Sequence, residues 1–171
     1  VLKASMKLLL GQTVNCDHET NIGNAIGAVS QVMWQESYKD GSFTIPAGIN
    51  GILKIDGKAN PRIARGILME PPSIHSNSVT VQFKWDKSHP GMEDGEFYQK
   101  LGTYDSKGER VRRIVTEVVR YMETSLVSHG ADLFAQKIGE DGKIINPTFA
   151  KRTWSSYEEY RDDKSLSLIH I

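Results

Sequence analysis

The sequence is poor in the features that mark several functional classes. It holds a single cysteine, Cys16, in 171 residues, so no internal disulfide can form and no cysteine-based zinc site can be built. A lone thiol also suits a reducing compartment. Cys16 has the chemistry of a nucleophile, but a buried, inert thiol is the commoner role. Charge of one sign is missing as well: 21 Lys and Arg balance 21 Asp and Glu, which leaves no basic footprint for nucleic acid or an anionic membrane. A nucleic-acid reading through Trp34, Trp85, Tyr98 and the cluster Arg110, Arg112, Arg113 is disfavoured on that ground. No apolar run approaches the roughly 20 residues of a membrane helix, and Leu8-Leu9-Leu10 is too short for a signal-peptide core. The expectation is a soluble, unexported protein with neither a nucleic-acid nor a membrane partner. No His-Glu-x-x-His motif or Cys/His cluster occurs, so no metal site is expected.

What is present centres on residues 73–85. From Ser78 onward, polar residues alternate with Val79, Val81, Phe83 and Trp85, the period-2 pattern of a strand with one buried face. Ser78 is expected to start that strand, after a turn at Pro71-Pro72. A serine held there is aimed by the strand ladder, which suits a nucleophile. Ser76 lies two residues earlier on the same face and is the alternative nucleophile.

Upstream, residues 6–14 read as a strand entering a bend at Gly11, 17–23 as a polar loop carrying His18, and 25–34 as the following strand. Lys39-Asp40-Gly41 is a hairpin signal, and residues 43–55 read as a glycine-broken strand pair ending at Asp56-Gly57. Asn60-Pro61 opens a short amphipathic helix over 61–69, with Asn as N-cap and Pro at the first helical position. Residues 86–105 read as a surface excursion with a helical turn around 96–101. Residues 111–127 fit both templates: Val111, Ile114/Val115, Val118/Val119 and Met122 make a helical stripe, while the density of Val, Ile and Thr favours strands. Beyond them lie a short helix near 133–138, a turn at 140–143 and a charged, aromatic tail.

Three segments, in this order, resemble one family. Asp17-His18 followed by Ile26-Gly27-Ala28-Val29 resembles its histidine and Ile/Val-Gly-x-Val strand. Ser78-Val79-Thr80-Val81-Gln82-Phe83 is similar to its serine strand, with Thr80 where glycine is usual. Glu123-Thr124-Ser125-Leu126-Val127, running on to Ala131-Asp132, is similar to its closing motif, with Thr124 in place of the usual valine and Gly130 in place of the usual proline. The family is the prohead maturation serine protease of tailed bacteriophages, which shares the fold of the herpesvirus assemblin. The resemblance covers roughly residues 10–140 and rests on three weak motifs taken together.

That resemblance implies an α+β fold, a small, mostly antiparallel β-barrel flanked by short helices, and it resolves 111–127 as two strands or one long bent strand. It implies a serine endopeptidase with Ser78 as nucleophile, His18 as base and Glu123 as the orienting acid. Arg112 and Arg113 are oxyanion candidates by loose analogy. The implied substrates are the phage scaffold and major capsid proteins, cut in the host cytoplasm inside the assembling procapsid, with no metal or cofactor and with room for a homo-oligomer. The alternative is a catalytically inactive capsid-assembly or scaffold module that keeps the barrel. His75 is too near Ser78 along an extended chain to reach its hydroxyl, and His89 and His129 are loop residues, His129 being the reserve base. The protease-like domain is expected over 1–147, with strands before Val1 absent from the sequence, and a peripheral tail over 148–164. Residues 165–171, His170 included, resemble translated adapter read-through and are set aside.

Overall fold

Helix formers open the chain where a strand is expected. In the computed structural model, which describes residues 1–40, 43–128, 130, 132 and 134–138, α1 spans Leu2–Ser5 and runs into a 3-10 turn over Met6–Leu9. This stretch has Ala, Met, Lys and Leu and no β-branched residue, so helical propensity outweighs its apolar run. Gly11, at φ +80°, turns the chain into β1, Thr13–Cys16. The expected strand over 6–14 is thus reduced to its last residues.

The remaining elements are β2 (Ala25–Gln35), β3 (Tyr38–Asp40), β4 (Phe43–Ile45), β5 (Gly48–Ile55), α2 (Pro61–Leu68), β6 (Ser76–Lys87), α3 (Asp94–Lys100) and β7 (Arg113–Val127). The hairpin expected near Lys39-Asp40 is the antiparallel β3–β4 pair. Pro61 does begin α2, but Asn60 makes no side-chain cap and its amide donates instead to the Asp56 carbonyl oxygen. β6 begins at Ser76 rather than Ser78, because residues 75–77 are already paired on the outer side: Asn77 N–H donates to Ala135 O, and Lys137 N–H to His75 O. That pairing also makes 134–138 a bridged, non-helical segment among the described residues, contrary to the short helix expected there. The 140–143 turn and the segments 148–164 and 165–171 lie outside the described residues.

Five strands form one sheet in the order β5-β2-β1-β7-β6. Only the β1–β7 pair is parallel. The sheet is mostly antiparallel, as expected, and the protein is α+β with short helices. Among the described residues the sheet is not closed: β5 and β6 are its edges, and the expected barrel is not confirmed by it.

Residues 113–127 are one long strand, and its bulges explain the double reading of the sequence. Val79, Val81, Phe83 and Trp85 pair with Thr124, Tyr121, Val118 and Val115, so steps of two on β6 meet steps of three on β7. Each extra residue is a bulge, which bends and twists the pair. A spacing of three on the inward side imitates a helical stripe.

The core gathers Leu9, Val14, Ile26, Val29, Val118 and Tyr121. Tyr121 buries its ring there and its hydroxyl hydrogen-bonds Ser5 Oγ at 3.0 Å, as a buried phenol requires. The 86–105 excursion is more than surface: Phe97 is fully buried and stacks on Trp85, with ring centroids 5.9 Å apart.

Candidate active site

β7 lies between β1 and β6, so a residue near its C-terminal end can meet groups carried by both neighbours. Glu123 is such a residue. It is 4% exposed, and a carboxylate that far from water needs donors in place of its hydration. Two side chains supply them at Oε1: the His18 ring through Nδ1, and the Thr80 hydroxyl at 3.2 Å.

His18 is delivered by a tight turn at the end of β1. Asp17 and His18 both have positive φ, 51° and 64°, Glu19 N–H donates to Cys16 O at 3.0 Å, and Cys16 bridges Glu19. This is the two-residue type I′ geometry. Each non-glycine residue in that region costs about 1–2 kcal/mol, strain of the kind that collects at functional sites. A carboxylate only accepts, so Nδ1 carries the ring proton and Nε2 presents its lone pair. About half of the His18 side chain remains exposed.

Ser78 faces the same space. His18, Ser78 and Thr80 line one cavity of about 450 Å³, whose other walls include Tyr38, Ile49 and Phe134. Among the described residues no hydrogen bond joins Ser78 to His18. The structure thus brings His18 and Glu123 into contact and places Ser78 on the cavity that His18 lines. Catalytic hydrogen bonds are often unmade before substrate binds.

The other candidates fall elsewhere. Ser76 is buried, bonded to His75 Nδ1 at 3.1 Å, and does not line the cavity. Cys16 is a poor nucleophile because partial burial, and then the Asp17 charge, push its thiol pKa up. Arg113 pairs with Lys87 at the far end of β6, with its guanidinium over Trp85 and Tyr98; Arg112 precedes it there. Nine residues of strand, about 30 Å, separate that end from Ser78, which removes both arginines as oxyanion donors. His129 lies outside the described residues. His89, a loop residue as expected, bonds Ser88 and Asp105.

The sequence did not reveal that Thr80 contacts Glu123; there it is only a departure from glycine. The available signal was its place on the same strand face as Ser78. Comparison with protein-family models, curated proteins and solved structures gave no match.

Proposed function

We propose that this chain is a serine endopeptidase of the prohead-maturation type, with Ser78 as nucleophile, His18 as general base and Glu123 as the orienting acid. The observation that carries the reading is that the His18 ring is tied through Nδ1 to the buried Glu123 carboxylate while His18 and Ser78 line the same cavity. A serine protease needs that arrangement, since the acid fixes the tautomer and steadies the imidazolium.

On this reading Ser78 Oγ attacks the scissile carbonyl carbon as its proton passes to Nε2 of His18. The C–N bond then breaks, and Nε2–H protonates the departing amine. Water attacks the acyl-serine ester, giving a proton to Nε2; the bond from the acyl carbon to Oγ then breaks, Nε2–H returns its proton to Ser78 Oγ, and the carboxylic product leaves. Glu123 accepts from Nδ1–H throughout.

The resemblance supplies the rest of the proposal: scaffold and major capsid proteins as substrates, in the procapsid, and an assemblin-like barrel of which the five-stranded sheet forms the wall. Incubation with scaffold and capsid protein tests it. Cleavage that Ser78→Ala, His18→Ala and Glu123→Ala each abolish supports it.

One observation favours the second reading, an inactive capsid-assembly module: the described residues show no Ser78–His18 hydrogen bond. That reading predicts no cleavage by the wild type and no covalent capture of Ser78.

A further inference from the structure

The segment between β6 and β7 folds back on itself and brings together side chains far apart in sequence. His89 Nε2 lies 3.3 Å from Asp105 Oδ2, sixteen positions away. Glu109 joins them, and one ligand atom from each of His89, Asp105 and Glu109 lies within 4.8 Å of the others. His89 and Asp105 are largely enclosed, their side chains 16% and 19% exposed, whereas Glu109 is exposed.

Backbone contacts fix this geometry. Asp105 Oδ1 accepts from the N–H groups of Lys107 and Glu109, at 2.8 and 2.7 Å, which directs Oδ2 toward His89. Those bonds, the one from Glu109 N–H first, also hold the Asp105 pKa below its ordinary value, so it is a carboxylate at neutral pH. On the far side of the ring, His89 Nδ1 lies 2.8 Å from Ser88 Oγ. That hydroxyl donates to Arg110 O at 3.4 Å and accepts from Arg112 N–H at 2.9 Å, which leaves it able to accept from Nδ1–H. An Nε2–H would hydrogen-bond Oδ2 directly; with Nδ1–H on Ser88, Nε2 instead sets a lone pair beside the Oδ2 lone pairs, the donor arrangement that a shared cation joins. A proton is one such cation. A metal ion is the other, and the nearby third donor distinguishes them.

We propose that His89, Asp105 and Glu109 bind a divalent first-row metal ion, zinc(II) foremost, which clasps the loop after β6 to the turn before β7. Imidazole with two carboxylates matches zinc better than calcium or magnesium, which take oxygen donors. Tetrahedral zinc with bonds of about 2.0–2.1 Å sets neighbouring ligand atoms about 3.3–3.4 Å apart, the separation of Nε2 and Oδ2. Glu109, being exposed, closes the remaining gap by a side-chain rotation. Ser88 is the outer partner that fixes the histidine tautomer, as metal-bound histidines require. The site does not depend on the protease reading, because Ser78 lies about 30 Å away along β6.

The test is calorimetric titration of the chelator-treated, metal-free full chain with zinc chloride. The expected result is saturable binding that falls at least tenfold in Glu109→Gln and is lost in His89→Ala, with His18→Ala unchanged. Glu109 is exposed, so its variant keeps the fold, which circular dichroism verifies. Absence of binding to the wild type, or wild-type affinity retained by Glu109→Gln or by His89→Ala, overturns the proposal and leaves a proton as the shared cation.

Discussion

Thr80 sits directly opposite Glu123 in the β6–β7 register, and its hydroxyl donates at 3.2 Å to the carboxylate oxygen that the His18 ring also contacts. The residue that departs from the family's glycine therefore touches the candidate acid. A hydrogen bond to a charged group contributes about 1.5–3 kcal/mol, so Thr80→Val is expected to lower kcat about 10- to 100-fold with little change in KM. Thr80→Ser restores most of the rate. Steady-state kinetics on a cleavable scaffold fragment check it, and equal rates for Thr80→Val and wild type remove Thr80 from the site.

Gly27 explains one motif physically. A Cβ there would stand 2.1 Å from Lys54 O, so only glycine lets β2 approach β5 this closely. Gly27→Ala is expected to cost about 1–3 kcal/mol by forcing the strands apart. Urea denaturation measures it.

Phe97 anchors the excursion between β6 and β7 by packing on Trp85. Phe97→Ala is expected to cost about 3–5 kcal/mol. A loss within experimental error would mean the excursion is a dispensable loop.

Asp105 gives a pH signature. Its folded pKa is lowered, first by the Glu109 N–H bond, so its contribution to stability is full above the ordinary carboxylate value of 3.8 and is lost as pH falls through the folded value. The stability advantage of wild type over Asp105→Asn, from metal-free urea midpoints, is expected to hold near neutrality and shrink below about pH 4. An advantage that grows on acidification contradicts the assignment.

The sequence made the body of β6 legible because its alternation was clean. β2 followed from its apolar content after the 17–23 loop, and α2 from Asn60-Pro61 and its apolar spacing. Residues 6–10 misled because an apolar run carries no period, and the propensity of Met, Lys and Leu decided the outcome. In 113–127 the bulges replaced a period of two by one of three on the inward side, so composition and period pointed different ways and the resemblance decided for a strand. His18 and Glu123 were identifiable as a pair through the motif order. Thr80 was hidden because a cross-strand contact depends on register, and register depends on those same bulges. The His89, Asp105 and Glu109 cluster was hidden because two separate loop segments contribute to it, which no local spacing rule captures.

The most direct test of the central claim is labelling of the purified chain with a fluorophosphonate, with the adduct mapped by mass spectrometry. The account predicts a single adduct on Ser78, lost in Ser78→Ala, slowed by orders of magnitude in His18→Ala and retained in Ser76→Ala. An adduct on Ser76, or a wild-type chain left unmodified, would contradict it.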